Sequence, residues 1–387
     1  GTSSELLLIV AGMNKHAEDI VMGVALRGYD FTDHKTLKPG SPSKDVSVMG
    51  GDVEVLEAAS KSALAVAQGV FMTRDLVNEP ANVLTTVEFA ERIEGLQNLG
   101  VEVEILDEEQ LAEIGMGALL SVGQGSVYPS KVAIMQWSGG EVSEAPLALV
   151  GKGVVFDTGG ISIKPAGGME DMTMDMGGAG VVTGVMKSLA LRKAQANVVG
   201  LVGLVENMPS GDAYRPGDVV TSLKGDTIEV ITTDAEGRLV LCDVMWYAQN
   251  RFNPIGMIDL ATLTGAVIIG LGHENAGVFS NNDELCNCFL KAANAEGEGA
   301  WRMPLGAGYA DAMKSKIADW KNAGGRAAGS CTAAEFLHQF VQEDMPWIHI
   351  DIAGVAEQKT PTMLAPGGAT GWGVMALDRM IRDMFEG

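Results

Sequence analysis

The chain has 387 residues, and 47% of them are hydrophobic, so it can bury a large core and is not globally disordered. Its 50 acidic and 27 basic residues give a net charge of −23, which argues against nucleic-acid binding through a basic surface. The four cysteines are too few for a disulfide framework and indicate a reducing compartment, so we expect a cytoplasmic protein.

The first 50 residues differ from the rest of the chain. Leu6–Val10 predicts a strand, His16–Leu26 predicts a helix, and residues 31–44 form a polar stretch rich in turn-forming residues. We interpret this region as a linker or the end of a preceding unit, and we place a boundary near residue 50.

Helical and strand patterns alternate beyond residue 50, and several strands are apolar throughout. Such strands need cover on both faces, which predicts an α/β fold with a sheet between layers of helices. The predicted helices are Val55–Leu76, Thr86–Leu96, Glu108–Ile114, Gly178–Arg192, Arg238–Asn250, Cys331–Gln342 and Gly373–Phe385. The predicted strands are Val101–Leu106, Lys131–Trp137, Ala148–Phe156, Val198–Val205, Thr227–Thr233, Ile255–Leu260 and Trp347–Ile352.

The apolar run Ile255–Gly272 is nearly long enough to cross a bilayer. It contains Asp259, two threonines and several glycines, so it predicts a buried strand followed by a buried helix. We therefore expect no membrane association.

Several common catalytic motifs are absent from the sequence. It contains no G-x-S-x-G elbow, no G-x-G-x-x-G fingerprint and no P-loop, and its five histidines are scattered. A metal ion would therefore be bound mainly by carboxylates, whose hard oxygens suit Mg²⁺ or Mn²⁺ and also accept Zn²⁺.

Two glycine-rich segments place charges beside apolar elements. Gly151–Pro165 carries Lys152 and Asp157 around an apolar strand end, then breaks at a glycine pair and presents Lys164. Gly167–Gly180 carries Asp175 just before a double glycine that opens a helix. Taken singly, these groups could be solvated charges at a strand end and a helix-capping acid.

A third segment follows the β-rich run TIEVIT. This segment places Asp234, Glu236 and Arg238 at i, i+2 and i+4, so an extended chain would project all three to one face. A solvent-exposed edge of a sheet could show the same pattern. With Asp157 and Asp175, the two carboxylates bring the total to four negative charges beside apolar elements, which two divalent cations would neutralise. Cations about 3.5–4 Å apart are typical of enzymes that hydrolyse amides or phosphates, so the sequence favours a two-metal hydrolase.

These segments resemble the signatures of a known family. The chain contains VGKGVVFDTGGISIKP, MDMGGAG, TTDAEGRL and DLATLTGA, followed by AGVFSNND, ADWKNAGGR and IHIDIAG. In this order they closely resemble the leucine (cytosol) aminopeptidase family of two-metal peptidases, from about Thr73 to the C-terminus. The resemblance implies a mixed, largely parallel sheet between helices, with a catalytic domain over residues 51–387. It also implies that residues 1–50 are a remnant of an N-terminal α/β domain and its connecting helix.

The resemblance also implies roles for individual residues. The implied metal ligands are Lys152, Asp157, Asp175, Asp234 and Glu236, with Asp157 and Glu236 bridging two divalent cations (Zn²⁺ or Mn²⁺, with Mg²⁺ or Co²⁺ as alternatives). Lys152 would coordinate as the free amine, which requires a strongly depressed pKa. Lys164 would polarise the scissile carbonyl, and Arg238 would hold a bicarbonate ion that acts as general base. The implied pocket for the first side chain is lined by Met172, Thr262, Gly265 and Ala353.

The implied activity is removal of N-terminal residues from peptides with a free N-terminus, with a preference for leucine and other apolar side chains, by water activated between two metals. A homohexamer is implied as well. Thr232 stands where the family usually has Asn, and we expect altered hydrogen bonding around the site rather than inactivity. The alternatives are a hexameric scaffold with a DNA-binding or regulatory role, which the net charge disfavours, and another two-metal hydrolase such as a phosphatase.

Overall fold

The computed structural model describes residues 5–9, 16–36, 45–50 and 52–386. Its helices are α1 (Ala17–Arg27), α2 (Val53–Asn78), α3 (Thr86–Glu94), α4 (Glu108–Ile114), α5 (Gly117–Gly123), α6 (Gly177–Arg192), α7 (Gly237–Phe252), α8 (Gly265–Leu271), α9 (Asp283–Glu296), α10 (Ala307–Asp311), α11 (Gly329–His338) and α12 (Val374–Ile381). Its strands are β1 (Glu5–Ile9), β2 (Asp45–Met49), β3 (Glu102–Leu106), β4 (Lys131–Ser138), β5 (Leu147–Asp157), β6 (Asn197–Asn207), β7 (Val219–Thr221), β8 (Thr227–Glu229), β9 (Gly256–Ala261), β10 (Ala276–Ser280), β11 (Ala300–Arg302), β12 (Trp320–Lys321), β13 (Trp347–Asp351), β14 (Glu357–Gln358) and β15 (Gly368–Ala369).

Eight strands form the main sheet, in the order β11-β10-β13-β9-β5-β6-β4-β3. The central strands β13, β9, β5 and β6 are parallel, whereas β10 is antiparallel to β13 and β4 is antiparallel to β6. Helices cover both faces, with α2, α6, α9 and α12 on one side and α5, α7 and α11 on the other. The predicted fold, a mixed and largely parallel sheet between helices, is confirmed.

Most predicted helices and strands are present with ends shifted by a few residues. The predicted strand Thr227–Thr233 is wrong in its second half, because β8 ends at Glu229 and Ile231 donates its backbone N–H to the side chain of Asn322 at 2.8 Å instead of to a neighbouring strand. The last predicted helix is α-helical only as far as Ile381, and a π-helical turn, Arg382–Glu386, continues it.

The described part of the N-terminal region contains a small parallel sheet, in which β1 pairs with β2, and helix α1, which packs on α2. Strand β2 was not predicted. Val10 and residues 37–44 of the predicted polar stretch lie outside the described residues. The assignment of residues 1–50 to a separate remnant stays a prediction.

The run Ile255–Gly272 forms strand β9, which is buried throughout as the sequence predicts, and helix α8. The prediction that this helix is buried is wrong, because Val267 is its one buried residue and Ile269 is 84% exposed. Across the described ranges, no helix combines the length and the apolar character that a bilayer crossing needs.

The parallel central strands end at the same edge of the sheet. The last residues of β5, β6, β9 and β13 are Asp157, Asn207, Ala261 and Asp351. In α/β sheets, ligands bind in the crevice outside the carboxyl ends of parallel strands. The polar residues at three of these four strand ends therefore mark the edge where a functional site is expected.

Candidate active site

Lys152 lies at the centre of an acidic cluster at this edge. Its side chain, on β5 and 2% exposed, donates to Asp175 Oδ1 at 2.7 Å and to the backbone oxygen of Thr262 at 2.9 Å. Its Nζ also lies 2.8 Å from Glu236 Oε1. A side chain at position 237 would collide with this lysine, because a Cβ on Gly237 would lie 2.6 Å from Lys152 Cε. The glycine of the E-G-R sequence therefore makes room for the buried ammonium group.

A second lysine approaches the cluster from the loop after β5. Lys164 Nζ lies 2.8 Å from Asp157 Oδ2 and also donates to Asp234. The loop turns at Gly159, which has φ +84° and whose Cβ would lie 2.9 Å from Asp234 Oδ1. Asp157, Asp234 and Glu236 each place one carboxylate oxygen within 4.8 Å of the others. Residues from two distant segments thus form one carboxylate cluster.

Burial and neighbouring charges shift the pKa values in the cluster. Burial raises the pKa of Asp157 to about 6, and the negative charge of Glu236 adds to the effect. Burial would also raise the pKa of Glu236, but Lys152 and Lys164 outweigh it and lower that pKa. Burial would lower the pKa of Lys152, but Asp175 and Glu236 outweigh it, so its pKa is raised. The depressed pKa expected for Lys152 as a metal ligand stays a prediction, because it depends on cations beside the amine.

Asp234, Glu236 and Arg238 do not share one face of an extended strand. Asp234 lies in a turn and Glu236 directly precedes α7, so helical geometry rotates Arg238 away from them. Arg238 is buried, and its Nη1 donates to the backbone oxygen of Asn322 at 2.7 Å. Its Nε has no partner among the described residues, and burial lowers its pKa to about 10. The prediction of an extended segment is wrong, although both carboxylates do reach the same cluster.

The cluster opens into a cavity of about 610 Å³. Eleven residues singled out from the sequence all line it: Lys152, Asp157, Lys164, Met172, Asp175, Asp234, Glu236, Arg238, Thr262, Gly265 and Ala353. Met169, Met174, Ile268 and Ile269 add apolar walls. This volume is in the usual range for pockets that bind small ligands.

Sequence reasoning missed a group of residues that holds the carboxylates in place. Asn207, at the end of β6, donates to Asp157 Oδ1 at 2.7 Å and to the backbone oxygen of Thr233 at 3.0 Å. The backbone oxygen of Thr233 also accepts a hydrogen bond from the hydroxyl of Tyr214 at 2.7 Å. The position of Asn207 at the end of an apolar strand was the available signal.

Asp351 was also missed, although it lies within the IHIDIAG segment. Its carboxylate accepts hydrogen bonds from Leu263 N at 3.1 Å, Ala353 N at 3.3 Å and Thr264 Oγ1 at 2.6 Å. It therefore ties the segment after β9 to the segment after β13, and these two segments form part of the cavity wall.

The cluster has the donor set of a divalent-cation site. Asp175 Oδ2 and Glu236 Oε2 are buried and have no hydrogen-bond partner within the described ranges. Buried carboxylate oxygens normally have a partner, and hard oxygen donors suit divalent cations. Metal ions therefore fit these residues.

Comparisons with known proteins give a consistent result. Residues 71–377 match the family model described as "Cytosol aminopeptidase family, catalytic domain". A "Probable cytosol aminopeptidase" from Cereibacter sphaeroides is 64% identical over 98% of this chain and 77% of the relative, and one from Dinoroseobacter shibae is 65% identical over 99% and 78%. The solved structure "Bottromycin maturation enzyme BotP in complex with Mn" is 34% identical, with a TM-score of 0.92 over 99% of this chain and 84% of that chain.

The fold, the acidic cluster and these matches define a hydrolase of the peptidase class. The carboxylates of the cluster are consistent with metal binding. The chain belongs to the cytosol aminopeptidase family.

Proposed function

We propose that this aminopeptidase is metal-dependent and prefers leucine and other apolar residues at the N-terminus of its peptide substrates. The observation that carries the proposal is the cluster of Lys152, Asp157, Asp175, Asp234 and Glu236, all of them buried except Asp234, in a cavity with apolar walls.

Lys152, Asp157, Asp175, Asp234 and Glu236 would hold two divalent cations (Zn²⁺ or Mn²⁺, with Mg²⁺ or Co²⁺ as alternatives). When bound, such a pair activates water and holds the reacting oxygens. Asn207 keeps the Asp157 carboxylate oriented, and the buried position of Lys152 fits a ligand that must act as the free amine.

Lys164 would polarise the scissile carbonyl. It is the more exposed of the two lysines, at 21% against 2% for Lys152, and it lines the cavity on a loop rather than inside a strand. A cation at this position stabilises negative charge that develops on the carbonyl oxygen during attack.

Arg238 would hold a bicarbonate ion. Its buried Nε, without a partner among the described residues, is a donor suited to an oxyanion. When bound, bicarbonate supplies a general base near the reacting water.

The pocket walls support a preference for apolar first residues. Met172, Thr262, Gly265 and Ala353 would surround the first side chain, and the neighbouring Met174 adds apolar surface. A free α-amine would be bound at the metal site.

We also propose a homohexameric, cytoplasmic protein in which residues 51–387 form the catalytic domain. Light scattering at micromolar concentration tests the assembly, and a monomer would contradict it.

The activity is tested with metal-stripped protein reloaded with Mn²⁺ or Zn²⁺ in bicarbonate buffer. We expect release of leucine from leucine p-nitroanilide and from Leu-Gly, and none from Glu236→Ala. Turnover that persists in Glu236→Ala, or phosphate-ester hydrolysis without peptide hydrolysis, would contradict the proposal.

A further inference from the structure

One wall of the cavity is a loop that carries none of the residues assigned above. It connects β12 to α11 and spans residues 322–328, and Ala323, Gly324, Gly325 and Arg326 line the cavity. Three of these four residues have no side chain beyond a methyl group. Arg326 is therefore the charged group that this loop presents to the cavity.

The loop is fixed at both ends to elements of the site. At its start, the Asn322 side chain donates to the backbone oxygen of Thr232 at 2.7 Å, and the Asn322 backbone oxygen accepts from Arg238. Directly after it, Gly329 packs against α8, because a Cβ there would lie 3.0 Å from Ala266 Cβ. The loop thus extends from the acidic turn to the helix that begins at the first-residue pocket.

Arg326 differs from the other cations of the cavity. Lys152 and Lys164 are ion-paired, and Arg238 is buried against a backbone oxygen. Arg326 is exposed, and across residues 5–9, 16–36, 45–50 and 52–386 no carboxylate forms an ion pair with it. In a chain with a net charge of −23, an exposed arginine at an acidic cavity without such a partner is available to bind an anionic ligand.

We propose that Arg326 binds the C-terminal carboxylate of di- and tripeptide substrates. The inference rests on the proposed function. An aminopeptidase accommodates one residue before the scissile bond, and that residue has its own pocket, so a further wall of the cavity contacts the residues after the bond. Each residue extends the chain by at most about 3.3–3.6 Å, so the carboxylate of a short peptide stays close to this wall. Arginine binds carboxylates in a bidentate, charge-assisted manner.

The test compares Leu-Gly-Gly with its C-terminal amide, which differ only in the carboxylate. We expect Arg326→Gln to reduce the ratio of kcat/KM for the free acid to that for the amide by roughly tenfold, mainly through KM, because a hydrogen bond to a charged group is lost. Arg326→Lys should keep part of the preference. Arg379→Gln, which removes an exposed arginine of α12 outside the cavity, should leave the ratio at the wild-type value.

A third peptide, Leu-Asp-Gly amide, carries a side-chain carboxylate but no C-terminal carboxylate, so it distinguishes recognition of the C-terminus from recognition of an acidic side chain. If Arg326→Gln weakens turnover of this peptide but not of Leu-Gly-Gly, the residue recognises acidic side chains, and the proposal is overturned. An unchanged ratio in Arg326→Gln overturns it as well.

Calorimetric binding to the metal-loaded protein, with the scissile amide of the free acid and of the amide replaced by a reduced, non-hydrolysable bond, provides a readout that does not need turnover. Preference for the free acid that is lost in Arg326→Gln supports the subsite, and equal binding of both peptides to the wild type contradicts it. If the wild type hydrolyses neither peptide, the proposed function fails, and this binding measurement still decides the role of Arg326.

Discussion

The molecule buries two groups of carboxylates that differ in how they are stabilised. Asp243 accepts backbone N–H groups of Leu119 at 2.9 Å and Leu223 at 2.7 Å, so both of its oxygens are used. Glu298 does the same with Gly373 and Ala376 at the start of α12.

In the cavity cluster, by contrast, Asp175 and Glu236 are paired with Lys152, and each has a second, buried oxygen without a partner among the described residues. An acid whose two carboxylate oxygens both accept backbone N–H groups stabilises the fold. A lysine partner beside an unused oxygen indicates an acid that binds a ligand. Burial alone does not distinguish the two groups.

The largest effect is expected from changing an acid of the cavity cluster. Glu236→Gln should reduce kcat/KM by a factor on the order of 10³ or more and abolish binding of one or both metal ions, because it removes a negative charge that, in the proposed site, two cations would share. Metal content by atomic emission and leucine release measure the two effects.

The matched control for Glu236→Gln is Asp243→Asn, a change of the same kind in an acid satisfied by the backbone. It should lower the free energy of unfolding and keep the full metal content. Loss of metal from the control but not from Glu236→Gln would reverse the assignment of the two groups.

Asp351 combines features of both groups. Its carboxylate accepts backbone N–H groups, as in the first group, but these hydrogen bonds connect two segments of the cavity wall. Asp351→Ala leaves the N–H groups of Leu263 and Ala353 and the Thr264 hydroxyl without their acceptor. We expect kcat/KM for leucine substrates to fall by roughly 10–100-fold with the metal content retained, because residues that orient a site have effects of this size.

Asp351→Asn keeps one carbonyl acceptor and should recover part of the activity lost in Asp351→Ala. An equal loss for leucine, alanine and glycine substrates would contradict a role in the wall of the first-residue pocket.

Much of the fold was predictable from local patterns. The apolar strands β5 and β6 and the helices α6 and α7 follow from hydrophobic runs and periodicity, which depend on nearby residues. The segment after Glu229 was not predictable in this way, because the acceptor of the Ile231 backbone N–H is the side chain of Asn322, about 90 residues further along the chain.

The same distinction applies to the site. The acids of the cluster could be found because each is a charge beside an apolar element of the sequence, in a segment that resembles those of a known family. Asn207 and Asp351 act through hydrogen bonds to residues in other segments, and nothing in the sequence around them indicates those partners. Residues that position other residues are therefore harder to predict than residues that carry the chemistry.

The free energy of unfolding should depend on pH differently for a buried acid that accepts backbone N–H groups than for an exposed acid. Burial raises the pKa of Glu298 from 4.5 to about 7. Because the folded state favours the protonated form, this stabilisation is complete below pH about 4.5 and is lost as the pH rises towards 7, with a magnitude of up to about 3 kcal/mol. Glu298→Gln should remove this part of the slope, measured by urea unfolding between pH 4.5 and 8.

Glu284→Gln, an exposed change on α9, serves as the control and should keep the wild-type slope. An identical slope in Glu298→Gln would show that Glu298 does not titrate in this range.

The smallest effect is expected at Thr232, where the resemblance to the family implies Asn. Thr232 Oγ1 accepts the backbone N–H of Asp234 at 3.3 Å, a contact that supports the turn in which Asp234 lies. An Asn side chain can accept the same N–H in an Asx turn, so Thr232→Asn should change kcat/KM by no more than about threefold and leave the metal content intact. Thr232→Ala removes the acceptor and should cost more than Thr232→Asn, because the N–H of Asp234 then loses its partner. A tenfold or larger change in Thr232→Asn would mean that this position contacts substrate directly rather than supporting the turn.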